Sequence, residues 1–489
     1  MNINKNTFNK LFSSSSLKAR LARGGMWMTI GGGADVGLKL IRNMVLARLI
    51  APEAFGIMAI IIAVNSLFES FTQVGIKEAI IQSEYGYEKK YLNWAWWISL
   101  MRGAGLYLIG FLSAPFISDF YQIPELTFML RIAFLSMIFA ALFSPAAYSK
   151  LKEMDFLRWT MISLLGTVFG VASSVYLSFK ISGEWALILG FILESLIRSV
   201  ASFILCPYLP TFEMEKKYLD ALLRFSRGMV GLPLLTFIFM RTDIFVIGKL
   251  CTQAELGIYS LAATLAGIPN VFMEKIITPL MIPAFSEIQN DNARVNKAII
   301  RVSGLLALGG IPIIVFVYFN SGIILQIIYG EKYVPAALPF AVLFMSNLLR
   351  SISLPLVAVY FSKGKPELHR LFTAIRASLL IVLIYPAIKL WSYSGAAFAV
   401  CIAMLLAYII QVQKLKNVTN LHIKDYYGVF LKAFIYTSPL IVWSLLSELF
   451  LADYIVPRTA VNIVGFMLVS IFIVKKYVLP MVMRINKGE

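Results

Sequence analysis

Apolar runs of membrane-crossing length recur along this chain from about Gly24 to Leu479, with no extended polar block between them. A helix rises about 1.5 Å per residue and needs about 20 apolar residues to cross a bilayer. Fourteen stretches qualify: Gly24–Ile50, Phe55–Val74, Leu92–Ala114, Leu126–Ala147, Phe156–Phe179, Glu184–Leu205, Gly228–Leu250, Leu256–Phe285, Lys297–Phe319, Ala336–Phe361, Arg370–Leu390, Gly395–Val412, Gly428–Leu449 and Tyr454–Val478. Charged residues make up 14% of the chain and hydrophobic ones 59%, whereas a soluble domain carries about 25% charge. No soluble core hides so much apolar surface. The pattern therefore predicts an all-α integral membrane protein with 14 transmembrane helices.

The loops test that count, because cytoplasmic loops retain Lys and Arg. Basic residues alternate between rich and poor loops. The rich side collects Lys77, Lys89 and Lys90, then Lys150, Lys152 and Arg158, and so on to Lys475 and Lys476. The poor side holds one per loop: Arg48, Lys180, Lys249, Lys332, Lys389 and Arg458. Both termini are thus expected in the cytoplasm, with residues 1–23 a basic tail rather than a signal peptide. Topology also accounts for the net charge of +18, so nucleic acid is not an expected partner. Cys206, Cys251 and Cys401 have no metal or disulfide spacing, and the two histidines fall in loops. With every extramembrane segment short, an enzyme is disfavoured.

The chain repeats itself. GGMWMTIGGGADVGLKLIRNMVLARLIAPEAFGIMAI around the first span parallels RGMVGLPLLTFIFMRTDIFVIGKLCTQAELGIYSLA around the seventh, so that Phe55-Gly56-Ile57 matches Leu256-Gly257-Ile258. FYQIPELTFMLRIAFLS and IYGEKYVPAALPFAVLFMS form a second pair. An offset of six spans gives halves of equal orientation, related by an axis along the membrane normal. The expected organisation is a tail (1–23), two six-helix lobes (24–210 and 211–425) with a cleft between them, and a pair of helices with the C-terminal tail (426–489).

A charge at mid-bilayer costs about 2.5 to 3.5 kcal/mol, so those retained usually face a cavity or a partner. Asp35, Lys39 and Arg42 share one face of the first span. An Asp35–Lys39 pair would leave Arg42 uncompensated on its own helix. The seventh span carries Arg241 and Asp243, the third Arg102, the tenth Arg350 and the second Glu69, while Arg131, Lys275 and Arg376 lie shallower. Glu194 and Arg198 have the spacing of a structural helix pair, and Glu274 is unassigned. The cationic excess predicts an anionic passenger, since the guanidinium fork suits phosphate. Lys39, Arg42, Arg102, Arg241 and Arg350 are the candidate substrate-binding residues of a cationic cavity, and Asp35, Asp243 and Glu69 the candidates for ion coupling. Pro233, Pro269, Pro279 and Pro283 mark expected kinks in the seventh and eighth spans.

LARLIAPEAFGIMAI followed by VGIKEAIIQ, and RTDIFVIGKLCTQAELGIYSLAATLAGIP, resemble the polysaccharide-transporter (Wzx-type) branch of the multidrug/oligosaccharidyl-lipid/polysaccharide exporter superfamily. The resemblance extends from about Gly24 to Val478. It implies a flippase of the bacterial inner membrane that moves an undecaprenyl-diphosphate-linked oligosaccharide to the periplasmic leaflet by alternating access. It also implies no cofactor or ATP hydrolysis, but a proton or sodium gradient or the membrane potential. Implied partners are the lipid-linked oligosaccharide, membrane lipids, and polysaccharide polymerase and chain-length proteins. The alternatives are a cation-coupled drug antiporter of the same superfamily with Asp35 as coupling acid, an integral-membrane polymerase or ligase, and a non-transporting scaffold.

Overall fold

The computed structural model describes residues 17–71, 75–213, 215–227, 232–274, 278–451, 454–478 and 480. Tail residues 1–16, residues 228–231 at the head of the expected seventh span, and Lys275, Arg484 and Lys487 lie outside the described residues. The described chain divides into two compact units, Met1–Gly257 and Ile258–Glu489. Its regular secondary structure is helical throughout. Nine helices among the described residues are long and apolar enough to cross a membrane, or ten if one bent pair is a single span.

The first unit holds α1 (Leu17–Leu49), α2 (Pro52–Phe71), α3 (Ile76–Gln82), α4 (Lys89–Tyr121), α5 (Leu126–Ala133), α6 (Leu135–Ala141), α7 (Ala146–Lys152), α8 (Phe156–Ser178), α9 (Gly183–Leu205), α10 (Lys216–Arg227) and α11 (Leu232–Leu250), and ends in the first turn of α12 (Gln253–Ala266). Its tightest pair is α8 against α9. Gly166, Gly170 and Ser174 recur every fourth residue on α8 and meet Gly190 and Glu194 of α9. A Cβ on Gly170 would stand 3.1 Å from the Gly190 carbonyl oxygen, and one on Gly190 would stand 1.8 Å from Ser174 Oγ. Small residues at that spacing let helices pack by backbone contact where no hydrophobic force separates protein from lipid. On α4, Met101, Leu108, Leu112 and Phe116 form an exposed apolar stripe, with Phe116 75% accessible. Such a surface belongs against lipid.

The matched glycines of the repeat meet within this unit. A Cβ on Gly56 would lie 2.1 Å from the carbonyl oxygen of Gln253, and one on Gly257 would lie 1.8 Å from that of Pro52. Each glycine faces the residue four before the other, so the contact is reciprocal. The α12 side is set by a capping box: the Thr252 amide and hydroxyl both donate to Glu255 Oε2 at 2.9 Å, and the Glu255 amide donates to Thr252 Oγ1 at 3.2 Å. On the other side, Pro52 occupies the first position of α2, where its missing N–H costs nothing.

The segment after α9 is more ordered than its loop composition suggests. Asn93, fully buried, donates to Thr211 Oγ1 (2.8 Å) and the Glu213 carbonyl (3.0 Å) and accepts from the Tyr208 hydroxyl (2.5 Å). Amphipathic α10 then seats Tyr218 and Leu222 among Ala79, Ile80, Tyr91 and Leu92. The Glu88 carboxylate accepts the Tyr218 hydroxyl and pushes that phenol up to about 12.

The second unit contains the rest of α12, then α13 (Ile268–Phe272), α14 (Thr278–Glu287), α15 (Asn292–Tyr329), a 3-10 turn (Glu331–Ala336), α16 (Ala337–Ser362), α17 (Pro366–Thr419), α18 (Ile423–Phe450) and α19 (Ile455–Ile473), which runs into a π turn (Val474–Val478). Leu356, Val359, Tyr360, Val412 and Tyr426 are central to its core. Buried hydroxyls are satisfied across helices: Tyr360 donates to the Gln411 carbonyl (2.7 Å), and Tyr426 to Ser303 Oγ (3.3 Å).

Four expected spans differ from the structure in continuity. Leu126–Ala147 is broken after Ala141, and α7 bends away from α5 and α6 by 56°. Leu256–Phe285 is interrupted at Gly267, with Pro269 in the first turn of α13 and Pro283 inside α14. Prolines remove the i−4 hydrogen bond and favour such breaks. The expected eleventh and twelfth spans, by contrast, run together in the 54-residue α17, which kinks at Trp391 and Ser392 (φ −133° and 51°). Gly395 follows, where a Cβ would stand 1.9 Å from the Ala387 carbonyl oxygen.

Candidate functional site

The intramembrane charges of the first unit gather on α1, α8 and α9. Asp35 accepts the Thr167 hydroxyl at 2.6 Å. Lys39 Nζ lies 3.4 Å from Asp35 Oδ2 and 3.2 Å from Glu194 Oε1, and Glu194 Oε1 also accepts from Arg198 Nη2 at 2.8 Å. Arg42 Nε donates to Asn43 Oδ1 at 3.2 Å, and Glu194 and Asp35 both act electrostatically on its guanidinium. The sequence spacing leaves Arg42 uncompensated on its own helix; its counter-charge comes largely from α9, which no local spacing reveals.

Three cations therefore share two carboxylates. The acids are the less exposed partners, with side-chain exposures of 17% for Asp35 and 10% for Glu194, against 36% for Lys39 and 37% for Arg198. These acids hold the basic heads in place, and the uncompensated charge is positive. Thr167, Glu194 and Arg198 were not candidates from the sequence. Glu194 and Arg198 read there as a local pair, and they form one, but Lys39 draws it into the larger cluster.

The other sequence candidates lie apart from this cluster or in smaller groups. Glu69 of α2 and Arg102 of α4 interact electrostatically, and Tyr148 is also in range of Arg102. On α11, Asp243 is buried and accepts the Ile244 amide at 2.9 Å, with Arg241 within its field. In the second unit, Arg350 Nη2 bonds Glu274 Oε1 at 2.7 Å. Arg376 donates to Thr373 Oγ1 at 3.3 Å and feels both Arg350 and Glu274, giving two cations for one acid. Arg131 stacks 4.3 Å over the Phe111 ring.

Of two hollows, the first borders the basic cluster through Arg198 and the second lies apart from all of these charges. The first, of about 240 Å³, lies between α6, α8 and α9 and is walled by Phe143, Tyr148, Trp159, Ser199 and Arg198. Its rings stand 5.3 to 6.0 Å apart, and Lys77 Nζ sits 4.9 Å over Trp159. Aromatic residues are so common in this chain that no local pattern singles these out. The other, of about 720 Å³, opens between α15 and α18 in the second unit. Among the described residues, no group of His, Cys, Asp and Glu could hold a metal ion.

Residues 45–338 match the family described as polysaccharide biosynthesis protein. The chain is 23% identical over 399 residues to the lipopolysaccharide biosynthesis protein WzxC of Escherichia coli, covering 81% of this chain and 80% of that one. It is 22% identical over 367 residues to the teichuronic acid biosynthesis protein TuaB of Bacillus subtilis (75% and 76%). It is 27% identical over 278 residues to the succinoglycan biosynthesis transport protein ExoT of Rhizobium meliloti (56% and 55%). Among solved structures, the lipid II flippase MurJ in an inward closed conformation superposes with a TM-score of 0.73 at 14% identity, covering 93% of this chain and 100% of that one. An inward-facing multidrug resistance MATE family transporter gives 0.61 at 13% identity, covering 79% and 96%. At such identities the likeness is one of fold.

Proposed function

Because this chain belongs to the polysaccharide biosynthesis protein family, we propose that it flips a lipid-linked oligosaccharide across the bacterial inner membrane. It is a multi-pass membrane transporter and not an enzyme, in keeping with relatives named for polysaccharide transport and lipid II flipping. The passenger in this reading is an undecaprenyl-diphosphate-linked repeat unit. It moves from the cytoplasmic to the periplasmic leaflet by alternating access, for export of O-antigen, capsule or exopolysaccharide. A polymerase and chain-length proteins act after it. Fourteen spans with both termini cytoplasmic fit the loop charges, and the break in α17 fits two spans there.

The observation that carries the reading is the cluster of Lys39, Arg42 and Arg198 around Asp35 and Glu194, in which Lys39 and Arg198 are about one-third exposed and the acids less so. A mid-membrane site with surplus cationic donors suits a diphosphate tethered to lipid, because the guanidinium fork and ammonium meet its oxygens with charge-assisted bonds. Arg102, Arg241 and Arg350 extend the same character, and Asp35, Asp243 and Glu69 are the acids through which a proton or sodium gradient would couple. Asp35, bonded to Thr167, is also what a cation antiporter would use, and the MATE fold is shared.

Reconstitution into proteoliposomes decides between them. The protein should translocate an undecaprenyl-diphosphate sugar and not a cationic dye. Arg42→Ala and Arg241→Ala should each abolish complementation of an export-deficient strain at unchanged membrane abundance. Dye transport without lipid transport would replace the flippase with the antiporter, and full complementation by both variants would remove these arginines from the site.

A further inference from the structure

The hollow between α15 and α18 has a chemistry that the basic cluster does not explain. Lys297 and Arg301 are one turn apart on α15, and Asp425, Val429 and Lys432 follow one face of α18; all line the same space of about 720 Å³. That volume lies in the usual range for a small-molecule site. Beyond the bases, Leu305 and Leu308 continue the α15 wall. Gly304 faces Val429 across this wall, where a Cβ would make an ordinary contact at 3.4 Å.

Three bases and one acid give the hollow a surplus of positive charge. No ion pair to a described residue occupies Lys297, Arg301 or Lys432, whereas Arg294 nearby on the same helix is paired with Asp291 at 3.2 Å. Lone long cations at a membrane edge often snorkel outward to annular lipid. Here residues from two helices line one recess, with an apolar floor that an ion alone would not need. Both helix starts belong to the Lys- and Arg-rich side of the sequence, where the adjoining leaflet is anionic.

We propose that this recess is a binding site for an anionic glycerophospholipid of the bilayer. Its phosphate is held by Lys297, Arg301 and Lys432, and the beginning of an acyl chain lies along Leu305, Leu308 and Val429. The site is separate from the transported substrate and would bind lipid whether or not the chain is a flippase.

Native mass spectrometry of the full chain in detergent, titrated with phosphatidylglycerol and phosphatidylethanolamine, tests this directly. A basic contact near an anionic headgroup is worth about fivefold in affinity, so a net surplus of two charges predicts roughly twenty-fivefold preference for phosphatidylglycerol. Replacing Lys297→Gln, Arg301→Gln and Lys432→Gln together should erase the preference, whereas Lys365→Gln, Lys414→Gln and Lys416→Gln together should leave it. Leu305→Trp, which fills the recess without changing its charge, should also erase it and guards against misfolding of the charge variant. Equal retention of the two lipids, or a preference that survives both the charge variant and Leu305→Trp, overturns the proposal. So does displacement of phosphatidylglycerol by undecaprenyl phosphate at lower concentration, which would assign the recess to the carrier lipid.

Discussion

Replacing either glycine of the reciprocal contact, Gly56→Ala or Gly257→Ala, should force the start of α2 away from residues 253–257. Carbon–oxygen contacts close to no less than about 3.3 Å, yet the added methyls would stand 2.1 Å from the Gln253 oxygen and 1.8 Å from the Pro52 oxygen. The segments must therefore part by about 1.2 Å for Gly56 and about 1.5 Å for Gly257. Both obstacles are backbone carbonyls, which cannot rotate aside as a side chain would. Overpacking of this kind costs about 1 to 3 kcal/mol, only partly offset by alanine's better helix propensity, about 1 kcal/mol in water. Opening the contact for one methyl also makes room for the other, so the double variant should cost clearly less than the sum of the singles. Gly105→Ala, where nothing lies within 4 Å, supplies the reference. The assay is thermal inactivation of the detergent-solubilised chain, followed as the monodisperse fraction after heating, alongside complementation of export. Single variants as stable as Gly105→Ala, or a double variant with fully additive cost, would refute the reciprocal close approach.

Three further outcomes follow from the same geometry. Glu194→Gln removes the carboxylate shared by Lys39 and Arg198; because both bases are about one-third exposed and Lys39 keeps Asp35, it should destabilise the protein by about 1 to 3 kcal/mol and lower its membrane abundance. Thr167→Val deletes only the 2.6 Å bond to Asp35; a loss of about 1 to 3 kcal/mol in stability should appear as a lower inactivation temperature. Asn93→Ala releases four bonds to residues 208–213, and limited proteolysis should then cut that segment at least tenfold faster, with α10 following as Tyr218 and Leu222 lose their seat.

What could be read from the sequence was whatever physics makes local. Span length is set by the bilayer and needs no tertiary information, so the long apolar helices were legible one by one. Gly56 and Gly257, paired in the sequence by their matching neighbours, stand where backbone approaches backbone, reciprocally. Breaks were harder. Proline positions were visible, but a proline can sit inside a continuous helix, as Pro312 does in α15, or beside an interruption, as Pro269 does. Ser392 takes a positive φ with no glycine or proline at that position to announce it.

The basic cluster marks the limit of pattern reading most clearly. From spacing alone, Asp35 with Lys39 and Glu194 with Arg198 are two self-contained pairs, and Arg42 is a surplus cation. Whether those pairs merge depends on how near α9 comes to α1; both pack on α8, and Gly166, Gly170, Ser174 and Gly190 let α9 approach it by backbone contact. A valine at Gly190 would drive the helices apart and carry Glu194 away from Lys39, converting one shared cluster back into two pairs. The residues that decide the electrostatics of the site are therefore uncharged and stand one turn from the charges they position. That is why a search confined to charged side chains finds Lys39 and Arg42 and overlooks what holds them.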